Sequence, residues 1–211
     1  MADNSLPPEE LPPMTDQITF YYDYLCPFSY RTYRWLREVQ QAGCALELTF
    51  RAFLLKEVNR PPEHPSYFAP DGPDTFSLLA LELAKAAQAS DPAIFSRYHD
   101  LLYDALHRDG RRLTSDEALA LAATAGLDVA RFQEERASGR WRQAVAEDYQ
   151  EARQRWQIFG VPTTVWNDTV SVYLKLRQQP TGTTRAVEAY EALRSLLRQA
   201  PELIEVKYSL A

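Results

Sequence analysis

Residues Cys26 to Ser29 (CPFS) have the residue types and spacing best suited to chemistry in this sequence. A cysteine followed three positions later by another cysteine is typical of redox motifs, and here serine takes the second position. The thiolate of cysteine is a strong nucleophile, and a serine hydroxyl on the next helical turn is expected to donate a hydrogen bond to it. The motif therefore predicts thiol chemistry at Cys26. The alternative is a small buried cysteine with no chemical role.

The sequence on either side of this motif predicts a strand followed by a helix. Gln17 to Tyr24 is rich in β-branched and aromatic residues, whereas Ser29 to Gln41 has apolar residues at helical spacing. Cys26 then precedes the helix, where free N–H groups and the positive end of the helix dipole favour a thiolate. Pro27 suits the first helical turn because its missing N–H is not needed there.

The order of the remaining elements predicts the fold class. A second strand (Ala45 to Leu55) completes a βαβ unit, which implies parallel pairing through a right-handed crossover. A proline-rich loop and a series of helices follow, and two strands and a last helix complete the chain. We expect an α/β thioredoxin-like fold with an all-helical domain inserted between its βαβ and ββα halves. The predicted segments are a disordered tail at 1–14, a thioredoxin-like domain at 15–56 and 157–211, and a loop with the helical insertion at 57–156.

Three parts of the sequence together resemble the DsbA-like branch of the thioredoxin superfamily, particularly its cytoplasmic FrnE-type members. The CPFS motif is similar to the family's C-P-x-C, Gly160 to Thr163 (GVPT) resembles its cis-proline loop, and Tyr98 to Gly139 has the layout of its helical insertion. The resemblance implies thiol-disulfide oxidoreductase activity through Cys26 and Ser29. It also implies a cis peptide bond before Pro162 and a substrate-binding surface made by Pro27, Phe28, Val161, Pro162 and Thr163.

Ser29 is the main departure from the family pattern, because the family has its resolving cysteine at this position. Serine cannot attack a disulfide, so an outside thiol must release any disulfide formed at Cys26. Cys44 lies beyond a helix of about 15 residues, roughly 20 Å away, and is expected to be structural. We therefore expect monothiol chemistry with a protein disulfide or a small thiol such as glutathione, and no tightly bound cofactor.

Two other function classes remain open. The sequence also resembles a related branch of the same fold, the kappa-class glutathione transferases and 2-hydroxychromene-2-carboxylate isomerases, which have S-P-x-S at this site. In that class, Cys26 or Ser29 could orient a bound glutathione without redox turnover. In a third class, the protein is non-catalytic and uses its groove only to bind a partner.

Composition and charge exclude several kinds of partner. The net charge of −6 and the pI near 5.2 argue against nucleic acid, and no apolar run is long enough to predict a membrane span. Two cysteines are too few for a disulfide framework or a zinc site, and no metal site is expected. The N-terminal residues lack the pattern of a signal peptide, so a cytoplasmic location is expected. A homodimer is left open.

A few polar and aromatic residues near the motif allow two interpretations. Asp23, three residues before Cys26, either shapes the site or is a solvated carboxylate at a strand end. Aromatic residues are candidates for an apolar substrate groove, although core packing is expected for most of them. Phe28 is the strongest of these candidates, which are Tyr24, Phe28, Tyr30, Tyr67 and Trp166.

Overall fold

A four-stranded sheet lies at the centre of the computed structural model, which describes residues 15–200. Its strands are β1 (Asp16–Tyr22), β2 (Leu46–Ala52), β3 (Thr163–Trp166) and β4 (Val170–Tyr173). They are arranged in the order β2-β1-β3-β4, with β1 parallel to β2 and antiparallel to β3. Strand β4 pairs antiparallel with β3 at the edge of the sheet.

Eight helices accompany this sheet in the part of the chain that the structure describes. They are α1 (Pro27–Gln41), α2 (Leu55–Val58), α3 (Phe76–Ser90), α4 (Pro92–Tyr103), α5 (Ser115–Ala125), α6 (Val129–Ala137), α7 (Arg140–Gln154) and α8 (Thr183–Gln199). A π-helical turn, Asp104–Arg108, continues α4. Helices α3 to α7 all lie between β2 and β3 in the chain, so the predicted fold, a thioredoxin-like α/β core with a helical insertion, is confirmed.

Local sequence signals explain where several of these elements begin and turn. Pro27 occupies the first position of α1, where its missing N–H costs no hydrogen bond. Thr114 and Glu117 form a reciprocal capping box at the start of α5. Asn167 and Asp168, both with positive φ, make the turn between β3 and β4, as their residue types favour.

The structure shortens the predicted strands and adds a short helix. Strand β1 ends at Tyr22, two residues earlier than predicted, because Tyr24 and Leu25 form a turn before α1. Strand β2 ends at Ala52, whereas the prediction continued it to Leu55. Leu55 instead begins α2, which crosses the predicted boundary between the thioredoxin-like domain and the insertion.

A buried carboxylate joins the helical insertion to the sheet. Asp148 of α7 accepts hydrogen bonds from the Ala52 N–H at 2.9 Å and from Arg51 at 3.0 Å, both on β2. Lys85 of α3 donates to the same carboxylate at 2.7 Å. Buried ion pairs need several donors to offset the cost of desolvation. These contacts therefore fix the insertion against the strand that precedes it.

Two predictions concern residues outside the described part of the chain. The disordered tail predicted for 1–14 lies there, as do residues 201–211 of the predicted thioredoxin-like domain. Among residues 15–200, no helix combines the length and the apolar character needed to cross a membrane.

Candidate active site

Cys26 lies at the junction of the sheet and the helix that the sequence predicts for it. It is the N-terminal cap residue of α1, and only 6% of its surface is exposed. Its side chain does not bond the free N–H groups of the first helical turn. The thiol instead donates a hydrogen bond of 3.4 Å to the carbonyl oxygen of Val161.

The loop that faces Cys26 contains the predicted cis-proline. The peptide bond between Val161 and Pro162 is cis, as predicted. The Pro162 carbonyl accepts a hydrogen bond from the Leu174 N–H at 3.0 Å, and the Thr163 hydroxyl donates one to the Gly160 carbonyl at 2.7 Å. These bonds fix the loop beside the motif, so residues 135 positions apart in the chain meet at one site.

Ser29 is buried, but it does not make the hydrogen bond expected of it. Its side chain is fully enclosed at the third position of α1, and its hydroxyl has no hydrogen-bond partner among residues 15–200. The expected bond to the sulfur is absent, and the Cys26 thiol bonds to Val161. The serine therefore occupies the position of a second cysteine without a hydrogen bond to Cys26.

Asp23 is a buried anchor of the active-site loop, so the solvated interpretation is wrong. Its carboxylate is 1% exposed and accepts hydrogen bonds of 2.9 Å from the N–H groups of Leu25 and Leu55. The Ser77 hydroxyl donates to it at 3.1 Å. Burial raises the pKa of Asp23, although these hydrogen bonds lower it in part. Through Asp23, α2 and α3 hold the loop that leads to Cys26.

Two histidines support the same loop from the helical insertion. His107 Nε2 donates a hydrogen bond of 2.7 Å to the carbonyl oxygen of Tyr24. His99 Nδ1 lies 2.8 Å from the Tyr24 hydroxyl, inside a cage of aromatic rings. Burial lowers the pKa of both imidazoles. These two histidines therefore have a structural role in holding the loop.

The surface beside Cys26 is made of aromatic and cationic side chains. Phe28 is half-buried, and the Nζ atom of Lys175 lies 5.2 Å from the centroid of its ring. The same Nζ atom is 5.2 Å from the ring centroid of Tyr173, which packs against Phe159 at a centroid distance of 4.8 Å. Phe159 is 63% exposed. We call Phe28, Lys175, Tyr173 and Phe159 the aromatic ridge.

The candidate groove residues are divided by the structure between the core and the surface. Tyr24 and Trp166 are buried in the main hydrophobic core and are not available to a substrate. Tyr30 and Tyr67 are half-buried and pack against that core. Phe28 is the candidate that lies beside Cys26 and the loop of Val161.

Sequence reasoning missed the other members of the aromatic ridge, and little in the sequence marks them. Tyr173 is the last residue of β4, and Lys175 follows it at the alternate position, a pattern that also fits an ordinary edge strand. Lys175 reaches the ring of Phe28 because β4 pairs with β3, which follows the cis-proline loop. Long-range pairing of this kind leaves no local signal.

Cys44 takes no part in this site. It follows the far end of α1, a 15-residue helix that spans about 22 Å, and it is a free thiol, as is Cys26. Burial raises the pKa of the Cys44 thiol, with a smaller effect from Glu191. No group of three or more metal-ligating side chains is found within residues 15–200.

Comparison with known proteins agrees with this geometry. A thioredoxin-like oxidoreductase from Silicibacter pomeroyi DSS-3 is 18% identical with a TM-score of 0.57, covering 85% of this chain and 87% of its own. For a probable DsbA oxidoreductase from Streptomyces coelicolor, the identity is 18%, the TM-score is 0.60 and the coverage is 93% and 94%. BdbD from Bacillus subtilis is 14% identical, with a TM-score of 0.57 and coverage of 89% and 90%.

At these identities the solved structures establish a common fold. No curated protein sequence matches this chain significantly. The family model for the DSBA-like thioredoxin domain, however, matches residues 17–185, which include Cys26 and the cis-proline loop. The chain therefore belongs to the DSBA-like thioredoxin domain family, a family of thiol-disulfide oxidoreductases.

Proposed function

We propose that this protein is a monothiol oxidoreductase of the DsbA/FrnE type that works through Cys26 alone. One observation carries the proposal: Cys26 faces the cis-proline loop, while the position of the second thiol is held by the buried hydroxyl of Ser29. The hydroxyl of Ser29 is too weak a nucleophile to break a disulfide at Cys26. The protein therefore needs an external thiol to complete its cycle.

The proposed cycle has two exchange steps. The Cys26 thiolate attacks one sulfur of a substrate disulfide, a new bond forms between Cys26 and that sulfur, and the other sulfur leaves as a thiolate. A small thiol such as glutathione, also as its thiolate, then attacks the mixed disulfide and restores the Cys26 thiolate. Each step breaks one sulfur–sulfur bond and forms one, and the small thiol is the net reductant.

The residues around Cys26 suit the first of these steps. The backbone of Val161 precedes the cis bond and faces the sulfur, so an extended substrate can pair with it as an added strand. Pro27 is exposed and Phe28 is half-exposed beside the motif, and both are available to a substrate. Thr163 begins β3 and fixes the loop through Gly160. We also propose a cytoplasmic location, where small thiols are kept reduced.

The proposal is tested by the glutathione-dependent reduction of bis(2-hydroxyethyl) disulfide. Glutathione reductase returns the oxidised glutathione to its reduced form, and the consumption of NADPH gives the rate. The wild-type protein and Cys44→Ser are expected to turn over, because Cys44 is remote from the site. Cys26→Ser is expected to fall to the uncatalysed rate. Mass spectrometry of the wild-type protein is expected to detect one glutathione attached at Cys26.

Other outcomes would assign the protein to a different class. Retained turnover in Cys26→Ser, together with tight glutathione binding, would indicate a transferase or isomerase related to the kappa class. Absence of turnover in the wild type, with specific binding of a partner protein, would indicate a non-catalytic binding protein. Either result would overturn the monothiol proposal.

A further inference from the structure

Two aromatic rings hold the ammonium group of Lys175 on the surface that carries Phe28 of the CPFS motif. Its Nζ atom lies 5.2 Å from the ring centroids of both Phe28 and Tyr173. Phe28 is two residues from Cys26, and Tyr173 pairs with Thr163 immediately after the cis-proline. Contacts between a cation and aromatic faces restrict the position of the ammonium group. They also leave its three N–H donors free for an anionic partner.

The ammonium group of Lys175 is available to such a partner. The protein has a net charge of −6, yet Lys175 makes no salt bridge with a carboxylate of residues 15–200. The carboxylate of Asp23, three residues before Cys26, is buried and already accepts three hydrogen bonds. Arg31 also contacts the ring of Phe28, at 5.3 Å, but its guanidinium donates to the Leu176 carbonyl at 3.2 Å. Lys175 is therefore a cation beside Phe28 that is available to an incoming anion.

We propose that Lys175 is a specificity residue that binds a carboxylate of the small thiol or disulfide reacting at Cys26, so that the preferred co-substrate is an anionic, carboxylate-bearing thiol. This inference rests on the proposed function and narrows its substrate class. The exposed ring of Phe159 and the edge of Tyr173 form the apolar side of the same surface. A thiol with a short aliphatic body and a terminal carboxylate would contact both parts of it.

The first exchange step tests this directly, because it needs no turnover. Oxidised glutathione bears carboxylates, bis(2-hydroxyethyl) disulfide is neutral and cystamine is cationic. The rate at which each modifies Cys26 is measured by quenched mass spectrometry and divided by its rate with a simple thiol in solution. For Lys175→Gln, the preference for oxidised glutathione over the neutral disulfide is expected to fall about threefold to fivefold, the range of a partly exposed ion pair. For Lys175→Glu, a larger fall is expected and cystamine becomes faster.

Arg177→Gln provides the matched control, since Arg177 is an exposed cation two residues farther along the same segment. In Arg177→Gln, the preference for oxidised glutathione over the neutral disulfide is expected to change less than about twofold, because a direct contact with Lys175, and not the general charge of the surface, is proposed to cause it. An unchanged preference in Lys175→Gln, or an equal fall in both variants, would overturn the proposal.

Binding of S-methylglutathione separates this inference from the proposed function. The ligand has no free thiol, so it cannot take part in exchange. Weaker binding to Lys175→Gln than to wild type, in a protein whose Cys26 does not turn over, would support the carboxylate site and reject the monothiol cycle. Turnover through Cys26 with binding that does not depend on Lys175 would reject the carboxylate site alone.

Discussion

The second half of the proposed cycle depends on Ser29. Its side chain is fully buried at the third position of α1, in a space that holds a small polar group without giving it a hydrogen-bond partner among the described residues. The hydroxyl gains nothing there, and a buried polar group without a partner costs about 1–3 kcal/mol. A sulfhydryl is less polar and suits such a position better.

Ser29→Cys is therefore expected to produce a functional dithiol. Residues three apart in the first turn of a helix have Cα atoms within the range of about 4.4–6.8 Å that a disulfide requires. In this variant the introduced thiol attacks the sulfur of Cys26 in a mixed disulfide and releases the substrate without an outside thiol. The measurement is the lifetime of the Cys26 mixed disulfide in the absence of glutathione, which should shorten sharply.

Ser29→Ala serves as the control for this change. It removes the unpaired hydroxyl and adds no thiol, so we expect the lifetime of the mixed disulfide to be unchanged and the free energy of unfolding to stay level or rise by up to about 1 kcal/mol. A long-lived mixed disulfide in Ser29→Cys would contradict the geometry described for α1.

At the scale of elements, the loop from β1 to α1 is positioned by groups distant in sequence. Asp23 connects this loop to α2 through the Leu55 N–H and to α3 through the Ser77 hydroxyl. Both oxygens of the carboxylate are used, one by the Leu25 N–H and the other by the Leu55 N–H. Asparagine has only one oxygen to offer, and its amide N–H groups would face a donor.

Asp23→Asn is accordingly expected to lower the free energy of unfolding by about 1–3 kcal/mol and to change the reactivity of Cys26. The first effect is measured by urea unfolding and the second by the rate of alkylation with iodoacetamide. Ser77→Ala removes only the hydroxyl donor and should have a smaller effect of the same kind. Alkylation identical to wild type in Asp23→Asn would show that Asp23 stabilises the fold without positioning the cysteine.

The elements that could be predicted from sequence are those with local signals. The CPFS motif, the GVPT loop and the periodicity of α1 are continuous in the chain, and each was located correctly. The direction of the Cys26 thiol, the burial of Asp23 and the position of Lys175 depend on contacts between distant segments, including the pairing of β1, β3 and β4. Local periodicity and residue type carry no information about such contacts, so these features became visible only in three dimensions.

At the scale of the whole molecule, an aromatic cluster joins the sheet to the helical insertion. His99 of α4 lies at its centre, with ring centroids 4.8 Å from Tyr22 and 4.9 Å from Phe50. Burial, and to a lesser extent the charge of Arg37, lowers the pKa of His99 well below its usual value of 6.5. The folded protein therefore holds this imidazole neutral, whereas the unfolded chain protonates it below that value.

The sign of the resulting pH dependence follows from proton linkage. His99 contributes full stability above pH 6.5 and loses it as the pH falls toward its lower folded pKa, by about 1.4 kcal/mol per pH unit. His99→Gln cannot take up this proton. The difference in unfolding free energy between wild type and His99→Gln should therefore be largest near a pH of about 7.5 and should shrink between pH values of about 6 and 5.

His107→Gln is the companion variant, since burial also lowers the pKa of His107 but less completely. Its difference from wild type should shrink less steeply over the same range. A difference between wild type and His99→Gln that does not vary with pH would contradict a neutral, buried His99.

The hydrogen bond between Cys26 and Val161 links two events at the site. Only a protonated sulfur can donate to the Val161 carbonyl. In the proposed cycle, loss of that proton therefore removes the bond, creates the nucleophile and frees a backbone acceptor for an incoming strand. Ionisation of the Cys26 thiol and docking of a substrate at Val161 would then both follow from the loss of one proton. The thiol–carbonyl contact would therefore couple the reactivity of Cys26 to the availability of the Val161 carbonyl.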